Sequence, residues 1–327
     1  MKYSIFTMLL MSLFLWSCNQ EELMVEQDNN QEVYTIRLNL NGDIQTEESP
    51  LSRAETEATD LYGIQVYKDG NYFAFGLFDN IKNLTINLLA NSKYKFVCTA
   101  IKNGKNLLYS YRDFGNRKTY DRTYPFLNYY TSDYENQLYR CDNIFRYETR
   151  YDYCFEKLNN NVVSIKGSSD ESYCAEIDRF YGEINDYTPK VDGVVNLDLK
   201  RVSFGIKVKV SNIIDGNVTV KCYNSSKTFV DVSGLTADYE SEGKLYSMHN
   251  IYSAWQYASS YIENITMEVI WNRGVGVTQS WKKTIQMKRN AMNVIRIKLG
   301  AGDNDNGVGI TPEQGEMGSE EEDIPLG

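Results

Sequence analysis

The sequence predicts an all-β protein made of two antiparallel β-sandwich domains in tandem, with minor helical insertions. Apolar and polar residues alternate in many short segments, a period of two that is typical of strands with one buried face. Turn sequences that accept positive φ separate several of these segments, namely Asp69-Gly70, Asn103-Gly104 and Asn272-Arg273-Gly274. Neither half of the chain sustains a helical period, which favours sheets in both.

The first segment, residues 1–17, has the pattern of a secretion signal. Lys2 precedes an apolar run over residues 5–16 that is too short to span a bilayer. The run ends in Leu15-Trp16-Ser17-Cys18, which resembles a lipobox with Cys18 as the lipidated first residue of the mature chain. Residues 18–32 then read as an acidic, flexible tether. The alternative is a leader with an incidental cysteine.

The strand that begins at Val33 organises the rest of the prediction. One face of this strand is expected to be buried, and it comprises Tyr34, Ile36, Leu38 and Leu40. A polar, acidic loop follows, and Arg53-Ala54 at its end should be open to a protease that cuts after arginine. Burying four such side chains stabilises by roughly 6 to 12 kcal/mol, which is comparable to the roughly 5 to 15 kcal/mol of a whole domain. Cutting the strand free would therefore leave an apolar groove for a replacement strand. A strand paired on both sides, with Arg53 buried, would instead indicate a plain tethered surface protein.

The next strands complete the proposed domains, residues 33–190 and 191–300. The boundary lies between Tyr187 and Gly193, where a proline and a turn signal precede a new strand. Val194 to Ser211 reads as one long strand with a bend at Gly205. Short helical segments are predicted at Ala175 to Glu183 and within residues 235–260.

An insertion over residues 109–153 contains eleven tyrosines and six arginines without a sustained period. Tyrosine offers a flat apolar ring with a polar tip, which suits a sugar-binding or partner-binding surface. The candidates for such a surface are Tyr124, Tyr129 and Tyr130. The alternative is an insertion that covers one end of the first sandwich with half-buried tyrosines.

The charge pattern separates the ends of the chain from its middle. The formal net charge is −10, and the acidic residues concentrate in the tether and in residues 301–327, which read as an acidic flexible tail. The middle of the chain is close to neutral, so nothing favours a nucleic-acid partner.

Catalytic and metal-binding patterns are missing from the sequence. The single histidine, His249, cannot form a multi-histidine zinc site, and it has no recognisable nucleophile partner. Cys98 and Cys222 lie on the apolar faces of strands and read as buried small residues. A bridge among Cys141, Cys154 and Cys174 is left open. We therefore expect no enzyme activity, no cofactor and no metal.

Together these pieces resemble the fimbrillin (FimA-like and Mfa-like) lipoproteins of Bacteroidales. The resemblance depends on the lipobox, the first strand, the arginine before Ala54 and the terminal strand sequence Arg289 to Leu299. Leu197 to Val202 is similar to the opening strand of the family's second domain. The resemblance implies two Greek-key (transthyretin-like) sandwiches and a subunit of type V pili.

The resemblance also implies a route of assembly and a set of partners. Cys18 would carry the lipid that anchors the chain to the outer membrane at the cell surface, and an arginine-specific protease would cut at Arg53-Ala54. The strand with Tyr34, Ile36, Leu38 and Leu40 would leave, and a strand of another fimbrial subunit would take its place. A host molecule or glycan is a further implied ligand.

The C-terminus departs from the family pattern. A donor strand needs alternating large apolar residues, but here Val308 and Ile310 are followed by Pro312 and a largely acidic sequence. This pattern is compatible with a minor, anchor or tip subunit, and equally with a fimbrillin-like lipoprotein that does not polymerise.

Overall fold

The structure is a computed structural model, and it describes residues 32–43, 60–107, 109–111, 122–124, 143–147, 163–164, 171–172, 174–224, 227–274, 276–300 and 308–316. This part of the chain is nearly all β. The strands of the first half are β1 (Val33–Gly42), β2 (Leu61–Lys68), β3 (Asn71–Phe78), β4 (Thr85–Leu89), β5 (Tyr94–Ile101), β6 (Tyr109–Tyr111), β7 (Arg122–Tyr124), β8 (Arg146–Tyr147), β9 (Val163–Ser164), β10 (Glu171–Ser172), β11 (Arg179–Tyr187) and β12 (Gly193–Arg201).

The described residues of the second half form nine more strands and one short helix. The strands are β13 (Ser203–Ser211), β14 (Asn217–Asn224), β15 (Lys227–Leu235), β16 (Tyr239–Glu240), β17 (Lys244–Ser247), β18 (Ile262–Asn272), β19 (Thr278–Lys288), β20 (Ala291–Leu299) and β21 (Val308–Glu316). Helix α1 (Ile251–Gln256) begins where the Asn250 side chain accepts a hydrogen bond from the Ser253 N–H. This helix lies within the region where the sequence predicts one. Gly104–Leu107 forms a single 3-10 turn.

The first group of strands forms an eight-stranded sheet in the order β4-β1-β12-β11-β5-β2-β3-β8. The ladder between β11 and β12 has only two residue pairs, so the sheet bends sharply there. Gly182 lies at this bend, where a Cβ atom would sit 2.4 Å from the Asp198 carbonyl oxygen. One apolar cluster takes side chains from β1, β4 and β12 and also from β2, β5 and β11. The sheet therefore folds over itself into two layers with a shared core.

The second group consists of a five-stranded sheet with the main order β16-β13-β20-β21, to which β17 adds beside β13, and a four-stranded sheet in the order β15-β14-β18-β19. Their inner faces share a second apolar cluster. This cluster also includes Leu61, Ile101 and Tyr181 of the first group, so the two groups pack directly on each other. The Tyr181 and Trp255 rings meet edge to face across this contact, with their centroids 5.7 Å apart.

The pairing of the strands corrects several sequence predictions. The antiparallel arrangement predicted throughout is wrong at two ladders, because β1 runs parallel to β12 and β13 runs parallel to β20. The helical turn predicted at Ala175 to Glu183 is wrong, since β11 begins at Arg179. The hairpin predicted at Asn103-Gly104 is also wrong, because β6 pairs with β7 and not with β5. The hairpins at Asp69-Gly70 and Asn272-Arg273-Gly274 are confirmed.

The junction between the two groups lies at Val202. Strand β12 pairs with β1 and β11 in the eight-stranded sheet, so the boundary drawn between residues 190 and 191 falls before the last strand of that sheet. The long strand predicted from Val194 to Ser211 breaks at Val202 rather than at Gly205. Gly205 instead gives room to Met292, whose Sδ and Cε atoms would lie 2.5 Å from a Cβ at that position.

The C-terminal segment provides the last correction. The tail predicted to be flexible over residues 301–327 contains β21, which pairs with β20 through nine residue pairs at the edge of its sheet. Pro312 is tolerated there because an edge strand leaves half of its backbone groups unpaired by the sheet.

Candidate functional site

Strand β1 carries the alternation that the sequence predicts. Its inward side chains Ile36, Leu38 and Leu40 are at most 2% exposed, while Tyr34 at the start of the strand is only half-buried. The intervening Thr35 and Arg37 are exposed. The buried face therefore consists of three residues with a partly covered tyrosine at one end.

The position of β1 in the sheet is interior. It pairs in parallel with β12 through seven residue pairs, from Ile36↔Gly193 to Gly42↔Leu199. On its other side it pairs antiparallel with β4 through five residue pairs, from Val33↔Leu89 to Arg37↔Thr85. An interior strand cannot be replaced by addition at an open edge. It must first leave, and its departure would open backbone groups on both neighbours.

We call the space that β1 fills between β4 and β12 the β1 slot. The inward side chains of β1 pack there on the second layer of the same sheet. The apolar cluster beneath β1 includes Ile64 and Val66 of β2, Phe96 and Cys98 of β5, and Phe180 of β11. At about 1.5 to 3 kcal/mol for each fully buried side chain, the three inward residues of β1 contribute roughly 4.5 to 9 kcal/mol. An empty slot would therefore be strongly unfavourable in water.

Two contacts beyond the ladders hold the backbone of β1. The Thr35 N–H donates to the Asp192 Oδ1 atom at 2.7 Å, at the point where β12 is about to begin. The Leu38 N–H donates to the Leu84 carbonyl at 2.8 Å, just before β4. Both contacts involve backbone N–H groups of β1, so they do not depend on its side chains.

The far end of β1 is held by one ion pair and one hydrogen bond from a backbone N–H. Asp43 follows the strand directly. Its Oδ2 atom accepts a hydrogen bond from the backbone N–H of Arg201 at 3.0 Å and another from the side-chain Nη1 of Arg289 at 2.9 Å. Arg289 lies in the turn between β19 and β20, so this contact joins the end of β1 to the second group of sheets. Sequence reasoning missed Asp43, because nothing local distinguishes it from other acidic loop residues.

The other predicted site residues lie mostly outside the described residues. These are Cys18, Arg53, Ala54, Tyr129 and Tyr130, and the predictions that concern them stand as they were made. The backbone of Tyr124 belongs to β7 and pairs with Tyr109 of β6. The lipid anchor, the cut and the tyrosine surface therefore remain predictions.

A second candidate site is a cavity of about 320 Å³ at the end of the first sandwich. Asparagines and aromatic residues provide much of its wall, and it is lined by Asn80, Lys82, Asn83, Leu84, Thr85, Asn87, Asn143, Ile144, Phe145 and Tyr147. The Tyr147 hydroxyl accepts the Asn87 N–H at 3.1 Å, which fixes the tyrosine against β4. The Phe145 ring packs on Phe78 with a centroid separation of 4.9 Å. Sequence reasoning missed this site. The feature that could have indicated it is the run Asn80-Ile-Lys-Asn-Leu-Thr-Ile-Asn87, which contains three asparagines.

The described part of the chain was searched for groups that could bind a metal ion or act as catalytic acids and bases. No group of three or more histidine, cysteine or acidic residues there could hold a metal ion. Burial lowers the pKa of His249, and its backbone N–H donates to the Glu263 carboxylate at 2.6 Å. Cys98, Cys174 and Cys222 are buried free thiols. Among the described helical residues, none forms a segment long and apolar enough to cross a bilayer.

Glu263 is a buried carboxylic acid in the second group of sheets. Its carboxylate accepts hydrogen bonds from the Asn224 amide at 2.6 Å and the Cys174 thiol at 3.6 Å, in addition to the His249 N–H. Burial outweighs these donors and raises the pKa of Glu263 to about 7. Glu263 is the second residue of β18, and these hydrogen-bond partners within the described residues include no second carboxylate that could share catalytic work.

These features define an all-β protein with a strand slot closed by its own first strand. Comparison with known proteins gives matches among solved structures only: no protein-family model matches the sequence, and no curated protein matches it. The fimbrial anchor protein Mfa2 from Porphyromonas gingivalis matches with a TM-score of 0.37 and 8% identity, over 88% of this chain and 98% of that protein.

Two further fimbrial structures match over similar lengths. The tip fimbrial protein Mfa3 from the same organism has a TM-score of 0.31 and 10% identity, covering 88% of this chain and 100% of that one. A fimbrial assembly protein from Parabacteroides distasonis has a TM-score of 0.29 and 15% identity, covering 86% and 99%. All three are fimbrial proteins, the class that the sequence resembles.

Proposed function

We propose that this chain is a non-enzymatic fimbrial or adhesive subunit of the cell surface that joins other fimbrial subunits by exchanging strand β1. The observation that carries the proposal is the placement of β1, which fills an apolar slot between β4 and β12 and ends at Gly42, eleven positions before Arg53. Cutting at Arg53-Ala54 would leave β1 held by non-covalent contacts alone.

The interior position of β1 affects both steps of such an exchange. Departure of the strand exposes the three-residue apolar face and breaks two backbone ladders, so release from an uncut chain is disfavoured. A replacement strand regains both ladders and the same burial, so the filled product is stable. Because the join runs from one subunit to the next without closing, repeated exchange would build a filament.

The sequence resemblance supplies the remaining parts of the proposal. Cys18 carries the lipid, residues 18–32 form the tether, and the outer membrane holds the precursor at the surface until an arginine-specific protease cuts it. The chain is divided into two Greek-key sandwiches, with β12 counted in the first, so that the second begins after Val202 rather than at residue 191.

The decisive experiment is limited digestion of the full-length precursor with an arginine-specific protease. We expect a single early cut, with Ala54 as the new N-terminus by sequencing, and Arg53→Gln should abolish it. Arg37→Gln is the matched control, because Arg37 is exposed on β1 but protected by two ladders. Cut protein mixed with an excess of a synthetic strand of residues 32–43 should release its original N-terminal segment, measured by mass spectrometry. A precursor cut only at other arginines, or a cut protein that keeps its original segment in that excess, would refute strand exchange.

A second function, glycan binding, is favoured by the asparagine-rich cavity. Amide groups both donate and accept hydrogen bonds, as sugar hydroxyls do, and aromatic residues supply apolar surface. Among the described lining residues Lys82 is the one charged side chain, which fits a neutral ligand better than an ionic one. The volume lies at the lower end of ligand sites, which suits one or two sugar rings.

This alternative places the ligand at residues 143–147 of the tyrosine-rich insertion. On a neutral glycan array, Asn83→Ala and Asn87→Ala should each remove binding, whereas Asn71→Ala, an exposed asparagine of the β2–β3 hairpin, should not. Loss on Tyr124→Ala, Tyr129→Ala or Tyr130→Ala with the cavity variants unaffected would place the ligand on the predicted tyrosine surface instead.

A further inference from the structure

Three segments of the chain meet at one carboxylate, which we call the Asp43 junction (Asp43, Arg201 and Arg289). The Arg289 Nη1 atom donates both to Asp43 Oδ2 and to the Arg201 carbonyl, each at 2.9 Å. The Arg289 Nε atom donates to the Ala258 carbonyl at 3.1 Å, just after helix α1. The Arg289 side chain is 18% exposed and Asp43 is 35% exposed, so the pair is partly shielded from water.

The turn that carries Arg289, the cation of this junction, is held by contacts that do not involve Asp43. Arg201 forms a two-point ion pair with Asp178, with N–O distances of 2.9 and 2.7 Å. Its Nη1 atom also donates to the Asn290 side chain at 3.1 Å, and the Asn290 N–H donates to the Ser203 carbonyl at 2.7 Å. These contacts hold the Arg289–Asn290 turn against the end of β12 independently of Asp43.

The residue before Asp43 is equally constrained. Gly42 has a φ of +95°, and a Cβ at this position would lie 2.4 Å from the Leu199 carbonyl oxygen. A side chain is therefore excluded both by the backbone conformation and by the close approach of β12. The Asp43 N–H then donates to that same carbonyl at 2.8 Å.

The two ends of the slot differ in what they recognise. At the start of β1, Asp192 accepts a backbone N–H, which every residue except proline can provide. At the other end, Arg289 contacts a side chain, which only an acidic residue can satisfy as an ion pair. One end thus positions any strand, and the other distinguishes between strands.

We propose that the β1 slot selects its replacement strand by a terminal Gly-Asp or Gly-Glu pair placed after three alternating apolar residues. The occupant is a segment of another subunit with that chemistry, so this inference rests on the proposed strand exchange. The C-terminal sequence of this chain does not meet the requirement. With Val308 and Ile310 aligned to Leu38 and Leu40, Pro312 falls at the position of Gly42, where its fixed negative φ cannot be accommodated.

The test uses synthetic peptides of residues 32–43 as competitors on the full-length protein after its cut at Arg53. Release of the native segment is followed by mass spectrometry. We expect the wild-type peptide to displace it, and the D43N peptide to bind about 10-fold more weakly because a charge-assisted hydrogen bond is lost. The R37Q peptide is the control, since it changes one exposed charge on the same strand. On an Arg289→Gln protein, the wild-type and D43N peptides should bind alike.

The outcomes separate the two proposals. Equal displacement by wild-type and D43N peptides would overturn selection at the Asp43 junction while leaving strand exchange standing. No displacement by any peptide would refute strand exchange itself. The junction is then tested in the intact chain, where Asp43→Asn should raise the unfolding constant about 10-fold in the wild-type background but only about 2-fold beside Arg289→Gln. If the effects of Asp43→Asn and Arg289→Gln on the unfolding constant were simply additive, the proposed interaction between Asp43 and Arg289 would be refuted.

Discussion

Strands β1 and β20 occupy matching positions in the two groups of sheets. Each has a parallel neighbour on one side, β12 or β13, and an antiparallel neighbour on the other, β4 or β21. Their sequences are also similar, Ile-Arg-Leu-Asn-Leu from Ile36 and Ile-Arg-Ile-Lys-Leu from Ile295, and each buries its three apolar residues. The alternation alone therefore cannot tell which strand is exchangeable.

The difference lies in what flanks the two strands. Beside β1, strand β4 buries Ile86 and Leu88 in the core. Beside β20, strand β21 has a largely polar sequence and its Ile310 is only partly buried, although it forms more residue pairs than β4 does. A longer backbone ladder therefore does not imply more buried side-chain surface. We expect the buried surface, rather than the number of paired residues, to decide how much each flanking strand stabilises the protein.

The largest expected effects come from the two matched core positions. Leu38→Ala and Ile297→Ala should each lower the free energy of unfolding by about 2 to 5 kcal/mol, measured by urea denaturation, because each leaves a cavity in a closed core. After cutting at Arg53, only Leu38→Ala should accelerate loss of the N-terminal segment on size-exclusion chromatography. Equally fast loss of the N-terminal segment from both variants would show that the core around β1 does not control its release.

The two groups of sheets also bury their glutamates differently. Glu183 of the first group pairs with Lys95 at 2.9 Å, whereas the hydrogen-bond donors to Glu263 in the described part of the second group are Asn224, His249 and Cys174, none of them through a cationic group. Because burial raises the pKa of Glu263 from 4.5 to about 7, its protonated form is favoured in the folded state. Stability should therefore fall as pH rises from about 4.5 to about 7, by about 3 kcal/mol.

This pH dependence is isolated by comparing the unfolding free energies of wild type and Glu263→Gln at pH 4.5 and pH 8. The variant stays uncharged across the range, so its stability should change less with pH than that of the wild type. A constant difference between the two proteins at both pH values would show that Glu263 does not titrate in this window.

A smaller effect is expected at the end of β1. Gly42→Ala should lower the free energy of unfolding by about 2 to 3 kcal/mol, because it adds a steric conflict to an unfavourable φ. Gly70→Ala provides the control, since Gly70 also has a positive φ of +84° but nothing lies within 4 Å of a Cβ there; it should cost about 1 kcal/mol. Similar losses at both positions would mean that the close approach of β12 is not limiting.

The smallest effect should follow removal of β21. A chain that ends at Gly300 loses the ladder of an edge strand and the partial burial of Ile310, so we expect a loss of about 1 kcal/mol by urea denaturation. A loss as large as that of Leu38→Ala would show that β21 is a structural strand, and that the comparison with β4 fails.

Local features were well predicted from the sequence, and long-range ones were not. The alternation of β1 and the turn at Asp69-Gly70 are encoded within a few residues, and both are present. The parallel ladder of β1 joins residues 157 positions apart, and the Asp43–Arg289 pair joins residues 246 apart, so no local pattern could reveal them. Strand β11 was mistaken for a helical turn because its pairing with β5 overrides local preference.

The parallel register of β1 and β12 has a mechanical consequence. A force applied at residue 32 along the axis of β1 loads all of the hydrogen bonds of this ladder together, so the strand resists sliding. A force directed away from the sheet loads the bonds one after another, and the strand peels. For a molecule pulled by its amino end, the direction of the load would therefore govern how long β1 stays seated.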